Sequence, residues 1–552
     1  MSEAATERAV AVGRRASGER AVVLAGELRR RWFELGTALC AFGVGLFLVI
    51  QLMAWPPHED ETLALFIGRK SIGGVLDTVL DQRGGAPLHF LLAWVVAHLG
   101  GGLVGLRLVS AIFATASVPV VAALGARLAG RATALAATVL LSASWMLLFH
   151  GIYGRMYSLF LFTSTLSFFA LLRASDRRST RAWALWAVCV LLCVAAHPYG
   201  ALVLAGQGVY VLLTRVPMRV AVPAFATVFI LGIPFWRTDL VLAGRFDVGV
   251  GKGSSTLGSP SAVASYLEIV ASDFTAGYAP VITIVLLLAL VGFVSFVRRR
   301  PRTALLLASV VVVPLGALIL AKLGSAAPMS RHLIFILPFF LIAVGEGIVR
   351  VASLGRRWAP LIGAVAVLAL LPTEVSWGMY RTPELYRGQA QSIVDARTAA
   401  AGWLARYAEP NDVLFGYEPL DEQAWENGGK VSKLVIPRAD SKLALQTLES
   451  ARKPLGHGVW VFDASDTTNA VRSSTIPFVA PQPTSAFRVA AFGPYLVVRT
   501  AKPTGCVRNY LKMARRVEWV GASLGLGDAD VNMLTVEQAA QRLTRQANAP
   551  SC

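Results

Sequence analysis

The chain of 552 residues is 55% hydrophobic and only 15% charged, with a mean hydropathy of +0.58 and a formal net charge of +19. A soluble globular chain carries roughly 25% charged residues, so much of this surface faces lipid; disorder, collagen and a disulfide-stapled mini-scaffold are excluded. The 52 Lys+Arg against 33 Asp+Glu read as basic cytoplasmic loops of a membrane protein, with no nucleic acid as partner.

In chain order, Arg29, Arg30 and Arg31 precede an uncharged run over 35–55. No small-residue cleavage site follows, so the run is expected to stay as a first span rather than be removed as a signal. A span needs about 20 mostly apolar residues to cover ~30 Å of hydrocarbon at 1.5 Å per residue. Further uncharged runs stand at 108–126, 132–154, 156–172, 220–236, 274–297 and 303–321, and two more candidate spans at 332–351 and 358–373. The stretch between Arg181 and Arg215 is too long for one span and is punctuated by His197, Pro198, Tyr199 and Gly200. It reads as two short helices joined by a turn, which makes eleven expected spans.

With the N-terminus in the cytoplasm, the loops at 127–131, 173–181, 215–219, 298–302 and 350–357 fall inside; they hold fifteen Arg and one acidic residue, Asp176. That bias sets the orientation. The apolar segment 87–99 is too short to cross and is assigned to a partly inserted helix at the outer surface, within a first external loop over 56–106. From Tyr380 onward charged residues return, and β-like runs (DVLFGY from Asp412, GVWVFD from Gly458, PYLVVRT from Pro494) alternate with helical patterns such as VEQAAQRLTRQ from Val536. The fold class expected is a polytopic α-helical membrane protein with a C-terminal external α/β domain: a cytoplasmic segment 1–34, a transmembrane region 35–376 and an external domain 377–552. Cys506 and Cys552 both fall outside the cytoplasm and could pair there; two free thiols are the alternative. The high Ala, Val, Leu, Gly and Arg content suggests the cytoplasmic membrane of a GC-rich bacterium.

Three clusters carry residues able to do chemistry. WPPHEDETLAL, from Trp55, places His58, Glu59, Asp60 and Glu61 just beyond the first span. Acidic residues there are otherwise simply solvated, but two prolines fix the chain's exit and the loop is long enough to fold back over the membrane. Partial burial is then expected to raise a carboxylate's proton affinity towards that of a working base. HGIYGRMYSLF, from His150, sets Arg155 between Tyr153 and Tyr157, and PMSRHLIFILPFF, from Pro328, sets Arg331 and His332 at the start of a span. Interfacial anchoring and snorkelling are the plain alternatives for both. Together the clusters supply carboxylates for a base and guanidinium groups for a phosphate in one compartment. No CxxC or Cys/His metal cluster appears and no two His stand at helical i, i+4 spacing. No cofactor is therefore expected; a divalent cation at His58 and its neighbouring carboxylates is the alternative.

WPPHEDE, GGAPLHFLLAWVVAHLGG from Gly84, GLRLVSAIFA from Gly105, ARLAGR from Ala126, HGIYGRMYSLF, HPYG from His197 and SRHLIFILP from Ser330 stand in the order and spacing of the GT-C superfamily. The chain resembles most the branch of the protein O-mannosyltransferases and lipid A aminoarabinose transferases, glycosyltransferase family 39-like, over residues 30–350. The resemblance implies that Asp60, with Glu61 second, is the essential acidic pair, and that Arg155 and Arg331 lie near the donor's lipid phosphate. Arg107 and His332 are further phosphate candidates, and His58, Glu59, Tyr153, Tyr157 and His89 complete the expected substrate site. The run Asp77, Asp81, Arg83, Gly84, Gly85 departs from the family's pattern, so acceptor contacts are not carried over.

Nucleotide sugars are kept in the cytoplasm, so outward-facing groups need a donor that has already crossed. The reaction expected is inverting transfer from a polyprenyl-phosphate sugar, of hexose or pentose type, to a hydroxyl of a cell-envelope glycan, glycolipid or protein, with membrane lipids as the surrounding partner. The rivals are a lipid or sugar transporter or flippase, and a non-catalytic glycan-binding scaffold. Glu346, the clearest intramembrane charge, stands one turn from Arg350 and reads as an i, i+4 pair rather than a relay. No inverted repeat is visible.

Overall fold

The structure, a computed structural model, describes residues 31–177, 179–244, 257, 259–320, 329–426, 434–436, 447, 454–463, 485–510 and 512–514. The helical pattern from Val536, the expected partner Cys552 and Pro328 lie outside the described residues. The first span is α1 (Arg31–Ile50). The loop after it folds into α2 (Glu59–Gly68), α3 (Ile72–Asp77), a π-helical turn (Thr78–Arg83) and α4 (Pro87–His98). With 12 residues α4 is too short to cross, as its sequence implies. There follow α5 (Gly102–Leu128), α6 (Arg131–Ala143), α7 (Trp145–Ile152), α8 (Tyr157–Arg177), α9 (Thr180–Ala196), α10 (Gly200–Leu213), α11 (Met218–Leu231), α12 (Ile233–Gly244), α13 (Pro260–Phe274), α14 (Ala279–Arg299), α15 (Pro301–Leu320), a 3-10 turn (Ser330–Leu333), α16 (Leu337–Ser353) and α17 (Ala359–Arg381).

Among the described residues, seven helices are long and apolar enough to cross a membrane, and nine spans result when α6 with α7, bent by 51°, and α11 with α12, bent by 55°, each count as one. The other two of the eleven are the short α9 and α10, which meet at the turn foreseen at His197 to Gly200. The protein is a multi-pass membrane protein. The run expected over 274–297 starts later, at Ala279, because Ala276 and Gly277 turn the chain with positive φ (68° and 65°) after α13, a helix the uncharged-run count passes over. The last span runs on to Arg381, past the buried Glu374, the charge at which a count of uncharged residues stops.

Three of the Arg-rich loops meet at one end of the bundle. Arg127 pairs with Asp176, and Arg300 Nη1 and Thr303 Oγ1 donate to the Leu128 carbonyl at 2.7 and 3.2 Å. Arg107, near the other end of α5, is 20 residues from Arg127, which at 1.5 Å per residue is about 30 Å, one hydrocarbon thickness. Inside the bundle the carboxylate of Glu346 accepts from Thr133 Oγ1 (2.8 Å), Ser295 Oγ (2.8 Å) and Arg350 Nε (2.6 Å). It ties α6, α14 and α16 together, as a buried and paired charge must if it is to persist there.

Beyond α17 come α18 (Pro383–Arg387), α19 (Gln391–Tyr407), β1 (Val413–Gly416), α20 (Pro419–Glu426), β2 (Leu434–Ile436), β3 (Gly458–Asp463), β4 (Phe487–Phe492) and β5 (Tyr495–Thr500). They form one sheet in the order β2-β1-β3-β5-β4, with β1 parallel to β2 and β3, and β5 antiparallel to β3 and β4. The three runs expected as strands are β1, β3 and β5. They are the central, apolar strands, packed on both faces, with Ala400, Leu404 and Leu420 against one and Tyr510 stacked on Trp460 against the other.

Candidate active site

The acidic trio sits on the first turn of α2. Pro56 and Pro57 bar a helix before it, and His58 adopts an extended conformation and caps it: His58 Nδ1 accepts from the Asp60 amide (3.1 Å) while Glu61 Oε2 accepts from the His58 amide (3.0 Å). Three carboxylates in the first turn also suit the positive end of the helix. Because consecutive helical residues project about 100° apart, one turn sends these three carboxylates three ways.

Glu61 is fully buried. It takes both prongs of Arg107, Nε to Oε1 at 2.8 Å and Nη2 to Oε2 at 2.7 Å, and the Gly154 amide at 2.7 Å. Arg107, equally buried, gives its remaining N–H groups to the carbonyls of Leu52 (3.1 Å), Trp55 (2.9 Å) and Pro56 (3.1 Å). A guanidinium has five N–H groups, and all five are in use, so Arg107 has none to offer a phosphate. Glu59 is buried on the side where its charge bears on Tyr417 of the C-terminal region.

Asp60 is the least buried of the three. Its carboxylate accepts from Tyr153 Oη at 3.0 Å and pairs with Arg155 Nη1 at 3.2 Å, and a fifth of its side chain stays accessible. Burial raises its proton affinity, as the sequence led one to expect, but the guanidinium of Arg155, then His58, Arg331 and Arg83 outweigh it, and the carboxyl is held well below the usual carboxylate range. The expectation of a raised Asp60 is thus corrected: three arginines converge on it. Burial and the Asp60 charge push the Tyr153 phenol well up, so it stays a donor.

Arg155 is buried and spends Nη1 on Asp60, leaving Nε without a protein partner. Arg331 lies over the Tyr157 ring at 5.3 Å with its own Nε unpartnered. Tyr157 also meets His332 (6.1 Å between ring centroids), so the clusters from His150 and Ser330 join. Trp55 stacks on His58 at 5.5 Å, and Tyr153 packs edge-on against both. His89, buried on α4, feels Arg155, Arg83 and Asp60; burial first, then the two arginines, push it down to about 3, so it is a neutral imidazole at neutral pH. Its Nε2 is unpartnered.

All the residues proposed from the sequence therefore gather around α2 except Glu59, which turns away. Arg83 was passed over as a site residue. It ends the π-helical turn, packs over Phe90 at 4.9 Å and is buried where Gly84, Gly85 and Ala86 reverse the chain with positive φ. The signal was a basic residue directly before a Gly-Gly turn. His150 and His197 were also missed as neighbours of Tyr157, at 4.8 and 5.8 Å. Of the ligands expected for a cation at His58, Nδ1 caps α2, Asp60 is held by Arg155, and Glu61 is saturated. Among the described residues one group has metal-ligand spacing, Glu409, Asp412 and His457, remote in sequence from this site and crossed by Arg499, which pairs with Asp412 at 3.2 Å.

No family model matches the chain, and no curated protein matches it in sequence. Among solved structures it is similar to ArnT from Cupriavidus metallidurans in the apo state, at a TM-score of 0.51 and 16% identity over 85% of this chain and 98% of that one. ArnT bound to undecaprenyl phosphate aligns at 0.49 and 15% over the same shares. The oligosaccharyltransferase of Archaeoglobus fulgidus aligns at 0.50 and 11%, over 78% of this chain and 70% of that one. The chain thus has a GT-C-like fold.

Proposed function

We propose that the chain is a membrane glycosyltransferase that moves a sugar, with inversion, from a polyprenyl phosphate to an acceptor hydroxyl at the outer face of a bacterial cytoplasmic membrane. The observation that carries this reading is the convergence of Arg155, Arg331 and Arg83 on one ionised carboxylate, Asp60, at the end of the bundle remote from the Arg-rich loops. Two of these arginines keep a donor unspent, which suits an anion rather than a neutral ligand.

In this reading the lipid phosphate of the donor lies against Arg155 and Arg331, and the anomeric carbon faces Asp60. The acceptor oxygen attacks that carbon as the bond to the phosphate oxygen breaks; Asp60 takes the hydroxyl proton, and the lipid phosphate leaves with its charge held by the guanidinium groups. The leaving phosphate needs no proton. His332, at the edge of the same cluster, and His89, a neutral imidazole that can both donate and accept, suit the sugar ring or phosphate, as do Tyr153, Tyr157 and His58. Glu61 and Arg107 become positioning residues: they fix α2 to α5 and never meet the substrate. No metal enters the step.

The test is transfer of label from a polyprenyl-phosphate sugar by purified chain in lipid nanodiscs. Asp60→Asn, nearly isosteric, is expected to lower turnover about 10²- to 10⁴-fold while undecaprenyl phosphate still binds. Full turnover in folded Asp60→Asn protein refutes the assignment, and the absence of transfer by wild-type chain to glycan, glycolipid or protein acceptors favours the scaffold or transporter.

A further inference from the structure

The helix that carries Asp60 is held at both ends by the C-terminal region. On the N-terminal side, Tyr417, between β1 and α20, donates from Oη to the Pro57 carbonyl at 2.8 Å, three residues before Asp60. At the C-terminal end, Arg69, the C-cap of α2, pairs with Glu422 of α20, and its guanidinium lies 3.7 Å over the Trp425 ring. Where the loop re-enters the bundle, Glu426 Oε1 accepts from the Leu103 amide at 2.7 Å. Tyr417 and Glu422 are buried, and Arg69 is one fifth exposed, so these contacts are largely shielded from water.

A ten-residue helix is about 15 Å long. Inside the bundle only its first turn is fastened by charge, through Glu61 to Arg107. Its later turns rest on apolar packing, with Leu63, Ala64 and Ile67 among Phe90, Ala93 and Leu106; such packing is non-directional and leaves a residual freedom to pivot, which moves Asp60 against Arg155, a residue of a different segment. Contacts at Pro57 and Arg69 remove that freedom. We propose that the C-terminal region is a clamp for the transfer reaction: Tyr417, Glu422 and Arg69 are positioning residues that hold Asp60 in register with the arginines around it. The proposal rests on the glycosyl-transfer reading for its catalytic consequence, though not for the clamp itself.

The experiment takes full-length chain in nanodiscs, with Arg69→Ala and the isosteric Tyr417→Phe, and measures amide hydrogen exchange, affinity for undecaprenyl phosphate, and kcat for label transfer. In Arg69→Ala, amides of residues 62–69 are expected to exchange about tenfold faster or more, and kcat to fall about 10- to 100-fold. Tyr417→Phe, which removes one hydroxyl, is expected to change both in the same direction by less. Affinity for undecaprenyl phosphate, bound on Arg155 and Arg331, is expected to hold within about twofold, which general misfolding would not allow. Unchanged exchange in both variants overturns the clamp. Faster exchange with wild-type kcat, or affinity falling in step with kcat, overturns the positioning role. Faster exchange in Arg69→Ala with no transfer by wild-type chain leaves the clamp standing and removes the glycosyl-transfer reading instead.

Discussion

Two faces of α2 carry neighbouring carboxylates, each paired with an arginine, and they are built for opposite purposes. On one face Glu61 and Arg107 are sealed from solvent and saturated: the carboxylate receives four N–H groups and the guanidinium spends all five. On the other, Asp60 and Arg155 meet through a single nitrogen, with the carboxylate partly open and Arg155 Nε unspent. Saturation makes a brace and incompleteness makes a site, because only the second pair can exchange partners without leaving a buried charge alone.

The largest expected effect breaks the brace. Glu61→Gln leaves the Arg107 guanidinium buried without its counter-charge, which typically costs about 3–5 kcal/mol; thermal unfolding in detergent is expected to show a lower midpoint for this variant, and a smaller drop for Asp60→Asn, whose carboxylate is partly open to water. Equal losses in the two variants would erase the contrast. A somewhat smaller effect falls on the open face. Arg331→Ala removes one cation from the departing phosphate and is expected to lower kcat about 10²- to 10³-fold with little change in melting. Arg107→Lys, by contrast, is expected to fail in stability and not in chemistry, since Lys lacks the fork that Glu61 and three carbonyls occupy.

Much of this arrangement was legible in the sequence, and the part that was not has a physical reason. The loops rich in Arg announced one end of the bundle, and the structure brings Arg127, Asp176 and Arg300 together there through Leu128. HGIYGRMYSLF and SRHLIF were readable as one site because each sets an arginine at a span's mouth. The division of labour within HEDE was also encoded, by the 100° step of a helix whose cap is written in Pro-Pro-His, yet a trio of carboxylates read as a string looks like three equal candidates. What no local pattern discloses is pairing across the chain: Tyr417 reaches Pro57 over a separation of 360 residues. Likewise the sign of Asp60's shift depends on how many arginines the fold brings to it, and burial alone, the effect visible from the loop, points the other way.

The smallest expected effect sharpens the comparison by titration. With its folded-state proton affinity depressed, Asp60 is ionised from the unperturbed carboxylate value near 4 upward, and the stabilisation from its pair with Arg155 is present above that value and lost as pH falls through the lower, folded one. In free enzyme, then, kcat/KM is expected to show no acidic limb from Asp60 in the neutral or mildly acid range. Donor phosphate on Arg155 and Arg331 offsets the charges that depress Asp60, so in the complex its proton affinity must rise. The acidic limb of kcat, which reports the bound enzyme, is therefore expected at higher pH than that of kcat/KM, by about one unit or more. Glu61 lies one residue further along the same helix, yet its four donors come from the protein itself, so donor binding has no partner to take from it. Coincident limbs would mean that the phosphate does not share its arginines with Asp60, and the open pair would then be a second brace.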